Sequence, residues 1–350
     1  MRGYKQHLLL FIAILVSQSL TSFKSSTSQV DEPVLFKPLT FYIAETRDLR
    51  SAKVTESGGL NKFIADNLPK NQALKPVVID IKELSVIETP GKTGLVNGEI
   101  KMSLAFNLQK QDITQHLLNY NGGLRYSRLA TNKGSLEQNL KKLNQSALLY
   151  FNKWMNANIN INKVLASGVK LRFEYYKDQL EGDTIYYAAS RPLTWRDFKG
   201  KRRLSTNYAA MVMPNIGYNQ EEDIKDGIIQ VTLTLQTFLA KNDCVLAASY
   251  KDDYMLNHEQ RHFDVAKIVT EQFKRKLQQA NLTPDNYEAV INMQYLDSYR
   301  DMNKLQKDYD KETAHGLNKS SQEKWNQQID NLLTPFSTSL QPQNILAIPQ

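Results

Sequence analysis

The chain has 350 residues, of which 41% are hydrophobic and 23% charged, and its formal net charge is +8. That balance excludes a disordered or collagen-like chain and leaves length enough for two domains, each with its own core. A single cysteine, Cys244, rules out an internal disulfide, so packing must hold the fold and Cys244 reads as a small buried hydrophobe.

Arg2 and Lys5 precede an apolar run at residues 8–16, and small polar residues follow at 17–22. This is the pattern of a secretory signal peptide over residues 1–22. The run is too short for a stable bilayer span, which takes about 20 residues, and no later apolar stretch is longer. The mature chain is therefore expected to be secreted or periplasmic, with no membrane span after signal removal. No cysteine near the cleavage region offers a site for a lipid anchor. Loss of Arg2 and Lys5 lowers the charge to +6, a mild excess spread along the chain. The densest basic run, residues 199–203, has no interleaved aromatics and reads as a solvated loop, so no nucleic-acid partner is expected.

After a polar lead at 24–32, residues 77–81 are largely apolar and β-branched, and Ile100, Met102, Leu104 and Phe106 alternate with mostly polar neighbours. Both segments predict strands, with Asn97-Gly98 as the turn between them. From 135 to 158, Leu136, Leu140, Leu143, Ala147, Leu148, Phe151 and Trp154 recur mostly three or four apart, the spacing of a helix. Residues 31–165 thus form an α+β domain with one histidine, His116, and no acid–base cluster, which suits binding or scaffolding.

A second domain is expected at 166–335. Segments 171–176 and 184–189 flank Glu181-Gly182-Asp183 and predict a hairpin. Ile229, Val231, Leu233 and Leu235 alternate with polar residues and predict a half-buried strand. Residues 254–280 lack Gly and Pro and predict a helix; another follows Pro284 and ends near Gly316, and a third covers 322–333. Residues 336–350, rich in Pro, Gln and Ser, are expected to be a flexible tail.

The first of these helices carries His258-Glu259-Gln260-Arg261-His262. Residues four apart stand one above the other on a helix, so His258 and His262 can converge on one zinc ion as metal ligands. Glu259, turned by about 100°, reaches the open side of the ion, where it can act as general base on the water that zinc activates. A catalytic zinc needs a third protein ligand. The elongated metzincin pattern is absent, because Val265 and Ile268 stand where glycine and a third histidine would. The downstream stretch 309–316 offers candidates: His315 first, then Glu312, which shares a helix face with it, and last Asp310, expected to face elsewhere, toward Thr313. Tyr309 is a candidate donor to the transition-state oxyanion, and Asp264 a candidate partner for an imidazole. The aromatic stretch 192–200 suits a turn packed on the core, with Trp195 as a possible pocket wall.

Three stretches together, Leu-Thr-Trp-x-Asp-Phe at 193–198, Asn-His-Glu-Gln-x-His-Phe-Asp at 257–264 and Tyr-Asp-x-Glu-Thr-x-His-Gly at 309–316, resemble the bacterial family DUF922. The resemblance covers roughly residues 170–335. It implies a zincin-like fold, a small sheet with an active-site helix and C-terminal helices, and a zinc-dependent protease acting on a peptide or protein substrate. It implies no particular substrate. Two other readings share these residues: a non-catalytic envelope binding protein with a structural zinc, and a zinc amidase acting on cell-wall peptides. For the peptidase, strand 229–236 is the expected sheet edge along which substrate would lie.

Overall fold

The computed structural model describes residues 38–50, 59–68, 70–111, 113–132, 134–177, 182–201, 209–247, 251–337 and 345–347. The expected signal peptide lies outside these residues, as do Arg202 and Arg203 of the basic run. Phe41–Asp48 (β1), Leu60–Asn67 (α1), Lys75–Pro90 (β2), Leu95–Lys110 (β3), Ile113–Leu129 (β4) and Gly134–Asn158 (α2) follow in chain order. The strands form one sheet, β1-β2-β3-β4, with β1 parallel to β2 and the other pairs antiparallel. A parallel pair needs a crossover connection, and α1 lies in it.

The apolar stripe of α2 covers this sheet: Leu143, Ala147, Leu148, Phe151 and Met155 are buried. The Phe151 ring stacks on Phe106 at 4.2 Å and meets Phe41 edge-on at 4.7 Å. The helical spacing read from the sequence is therefore the packed face. The expected Asn97-Gly98 turn is not where the chain reverses. Both residues lie within β3, opposite Thr89 and Glu88, and the reversal is at residues 91–94, where Thr93 and Gly94 take positive φ of 53° and 73°. Gly98 answers a different need, because a Cβ there would lie 2.2 Å from the Tyr126 ring across the ladder.

The second layer comprises Gly168–Tyr175 (β5), Thr184–Tyr186 (β6), Ala210–Met211 (β7), Asn215–Lys225 (β8), Ile228–Ala240 (β9), Val245–Leu246 (β10), Asp253–Gln279 (α3), Tyr287–Thr313 (α4), Lys319–Ser337 (α5) and Ile345–Ala347 (β11). The molecule is α+β. The strand predicted at 229–236 is the centre of its sheet and not an edge: β9 has β5 and β6 along one side and β8 along the other. Its alternation sets only which face is buried, with Ile229, Val231, Leu233 and Leu235 packed against Phe273 and Leu277 of α3 and Tyr287 and Ile291 of α4. The predicted hairpin of 171–176 with 184–189 is absent, because both segments pair with β9 instead. Strand β5 runs parallel and β6 antiparallel to β9, and they do not pair with each other. The hairpin instead joins β8 to β9 through Asp226 and Gly227, whose positive φ of 53° and 72° match the two-residue turn that Asp-Gly favours. Within the expected tail, β11 pairs antiparallel with β5.

Helix α3 sits at the centre of this half. Phe273 and Leu277 face the sheet, Ala266 and Val269 pack with Met302 of α4, and Val265 and Ile268 pack with Ile329 of α5. The first sheet ends with α2 at Asn158 and the second begins at Gly168, either side of the expected boundary, while the chain from Lys37 onward packs as one compact unit. No helix among the described residues is long and apolar enough to cross a membrane.

Candidate metal centre

Asp252 caps α3 by accepting from the Met255 N–H at 2.6 Å, which sets the helix phase one turn ahead of His258. The helix then buries His258, Glu259 and His262. The residue from α4 that faces them is Asp310, whose Oδ1 lies 3.0 Å from His262 Nε2 and 3.3 Å from His258 Nε2. Ligand atoms of these three residues lie within 4.8 Å of one another, and among the described residues no other group of three or more such side chains does so.

The candidate ranked last by sequence, Asp310, is thus the one brought beside the two imidazoles. Buried Met302, Tyr309 and Thr313 form the inner stripe of α4, and Asp310 and Glu312 flank it on opposite sides, about 200° apart by helix rotation. Asp310 faces α3, while Glu312 accepts a hydrogen bond from Trp325 Nε1 of α5 at 2.8 Å. The helix also stops sooner than the sequence suggests: Ala314, His315 and Gly316 all take positive φ. His315 thus leaves the helical face it was expected to share with Glu312. Its Nδ1 comes to 3.3 Å from Asp310 Oδ1, and its side chain is half exposed.

Each histidine ring is held from behind by a glutamine that sequence reasoning did not single out. His262 Nδ1 donates to Gln306 Oε1 at 2.5 Å, and Gln306 Nε2 donates to the His262 carbonyl at 2.9 Å. His258 Nδ1 donates to Gln322 Oε1 of α5 at 2.9 Å. With the protons on Nδ1, both Nε2 lone pairs are directed at the Asp310 carboxylate, so three acceptor atoms meet with no donor among them. Such a cluster demands a cation or added protons. The electrostatics agree. Burial raises Asp310, but where the rings take up the added protons their Nε2–H groups donate to it, which outweighs burial and holds the carboxyl well below the usual range. Burial lowers His262, yet Asp310 and Glu259 raise it above its ordinary value.

Glu259 stands beside this cluster. One end of its carboxylate accepts the Val212 N–H, whereas Oε2 is buried with no partner. Burial pushes its pKa up despite the two histidines. A buried carboxylate oxygen left open next to three converging ligand atoms fits a site built for a metal ion and a water molecule.

Tyr309 does not face the open side. Its hydroxyl donates to the His258 carbonyl at 3.2 Å and accepts from Gln322 Nε2 at 2.6 Å, while its ring stacks on His258 at 4.8 Å. The expected oxyanion role is thus replaced by support of His258. Asp264 likewise meets no imidazole: it accepts from Tyr187, Gln260 and Arg261. Gln260 in turn accepts the Leu193 N–H at 2.8 Å and ties the aromatic stretch 193–198 to α3. Trp195 packs on Phe198 at 4.9 Å within that turn.

Gly316 completes the enclosure. Its φ is +82°, and a Cβ there would meet the His258 ring at 3.3 Å. Gly316→Ala is expected to lower stability by about 1–2 kcal/mol, the cost of a side chain in left-handed backbone, and to displace the His258 ring. Urea unfolding checks the first and the NMR shifts of the His258 ring the second, and unchanged shifts would mean that the ring does not depend on this contact.

No curated protein matches this chain. Among solved structures, rare lipoprotein B from Shewanella oneidensis aligns at 11% identity and a TM-score of 0.21, covering 32% of this chain and 94% of that one. A minor lipoprotein from Acinetobacter baumannii aligns at 12% identity and 0.21, covering 33% and 91%. Likenesses this distant carry no weight for fold or role. The sequence of α3, most of β9 and the Tyr309-to-Gly316 stretch is more telling: residues 229–316 match the family DUF922, described as a bacterial protein of unknown function.

Proposed function

We propose that this protein is a zinc-dependent hydrolase of peptide bonds with a zincin-like C-terminal half, working outside the cytoplasm after removal of residues 1–22. The observation that carries the reading is the convergence of His258 Nε2, His262 Nε2 and Asp310 Oδ1 beside the unpartnered Glu259 Oε2. A zinc ion held by these three ligands would supply Lewis acidity, lowering the pKa of water to about 7 and polarising a carbonyl. Glu259 Oε2 accepts the proton of the attacking water. As the C–N bond breaks, Glu259 returns that proton to the leaving amine.

The route for substrate differs from the expected strand. Because β9 is enclosed, an extended peptide would lie along the Val212–Met213–Pro214 segment leading into β8, which already touches Glu259 and exposes Met213.

The test is zinc content. The wild-type chain is expected to retain stoichiometric zinc through gel filtration, Asp310→Ala to lose it, and Glu312→Ala to keep it. Zinc retained by Asp310→Ala but lost from Glu312→Ala or His315→Ala would overturn the ligand set.

A further inference from the structure

The two histidines could each carry the neutral-ring proton on either nitrogen, and only one choice leaves Nε2 free to bind. The glutamines behind them remove that choice. A backbone carbonyl can only accept, so the Gln306 amide nitrogen must face the His262 carbonyl, and its oxygen must face His262 Nδ1. The same logic runs through Tyr309 for the other ring. The Tyr309 hydroxyl donates to the His258 carbonyl and so accepts from Gln322 Nε2, which leaves Gln322 Oε1 for His258 Nδ1. Each imidazole is therefore oriented by an amide tied to that histidine's own backbone carbonyl, directly for Gln306 and through the Tyr309 hydroxyl for Gln322.

We propose that Gln306 and Gln322 are positioning residues for metal capture, holding both histidines as Nδ1–H tautomers so that zinc affinity depends on α5 as well as on α3 and α4. This rests on the metal-hydrolase reading. Gln322 is buried and lies beyond the matched segment at 229–316, so the geometry extends the site into a helix that the family match does not include. An amide orients the ring without adding a second negative charge behind it, which distinguishes this arrangement from the carboxylate partners common behind zinc-bound histidines.

The experiment uses the full mature chain with zinc alone as probe. Zinc affinity is measured by chelator competition, ring tautomers by nitrogen-15 NMR of the histidines, and folding by circular dichroism. Gln306→Met and Gln322→Met, which keep side-chain length but remove the acceptor, are each expected to weaken zinc binding by about 10- to 100-fold. Gln322→Glu, which restores the acceptor, is expected to recover most of that loss. In the metal-free protein, Gln322→Met should also lose the single Nδ1–H tautomer of His258. Gln327→Met, on the exposed side of α5, should leave affinity unchanged. Wild-type affinity in both methionine variants, or Gln322→Glu as weak as Gln322→Met, would overturn the proposal. A wild-type chain that binds no zinc would instead overturn the hydrolase reading, and this inference with it. Should Gln322→Met fail to fold, Gln306→Met on α4 carries the same test.

Discussion

Glu259→Gln is expected to lower peptide hydrolysis by about 10²- to 10⁴-fold, the range for removing a positioned general base, while leaving zinc content intact. The amide is isosteric and keeps the van der Waals fit, but it cannot take a proton from water. Among the described residues Glu259 makes no hydrogen bond to His258 or His262, and its carboxylate accepts the Val212 N–H. Loss of the carboxylate should therefore not disturb the metal ligands. The comparison also separates the competing readings. If the ion only ties α3 and α4 together, Glu259→Gln leaves function unchanged while His258→Ala lowers the unfolding temperature, because a structural metal contributes folding energy. A cell-wall amidase would share the loss of rate and differ only in substrate. Cleavage of a peptide library at the wild-type rate would end the general-base assignment.

Asp197→Ala is expected to cost about 3 kcal/mol of stability, the lower end of the range for breaking a buried ion pair. Asp197 is almost fully enclosed and accepts from Arg191 Nη1 and Nη2 at 2.7 Å each, from the Thr194 N–H at 2.7 Å and from Thr194 Oγ1 at 3.0 Å. Arg191 keeps partial access to water and also donates to the Pro192 carbonyl at 3.0 Å, which moderates the penalty of removing its carboxylate partner. The pH dependence has a definite sign. Burial raises Asp197, but the bonds from Arg191 and Thr194 outweigh it and depress the folded-state pKa below the ordinary value of about 3.9. Its contribution is thus complete above that value and is lost as pH falls through the folded-state pKa. Urea midpoints measured downward from pH 5 should drop in the wild type and drop less in Asp197→Asn. An unchanged midpoint in Asp197→Ala at neutral pH would show that the 193–198 turn is held by its aromatic contacts alone.

That turn shows where sequence reasoning reached and where it stopped. Leu-Thr-Trp-x-Asp-Phe was read as a packed turn, and Trp195 and Phe198 are in ring contact. Its link to α3, from the Leu193 N–H to Gln260, joins residues 67 apart, and no local spacing encodes such a pairing. The Asp226-Gly227 hairpin, in contrast, is encoded locally, because an Asp-Gly pair favours the positive φ that its two-residue turn takes. Gln306 had a signal too: it precedes Asp310 by four residues, the same step that separates His258 from His262, so both lie along one side of α4. Glutamine is common on helices, however, and nothing local marks which of them turns inward.

The sequence by itself determined helices α2 to α5, the buried alternation of β9 and the paired imidazoles with Glu259 beside them, because each depends on a repeat of two, three or four residues along one element. Only the tertiary structure decided that Asp310, and not His315 or Glu312, meets those imidazoles, that Gln306 and Gln322 support them, and that β9 is enclosed. Those outcomes depend on the rotation of α4 against α3, on the left-handed residues that end α4 at Ala314, and on which strands flank β9. They are relations between elements, and their energies come from packing across the chain and not from any residue's neighbours in sequence.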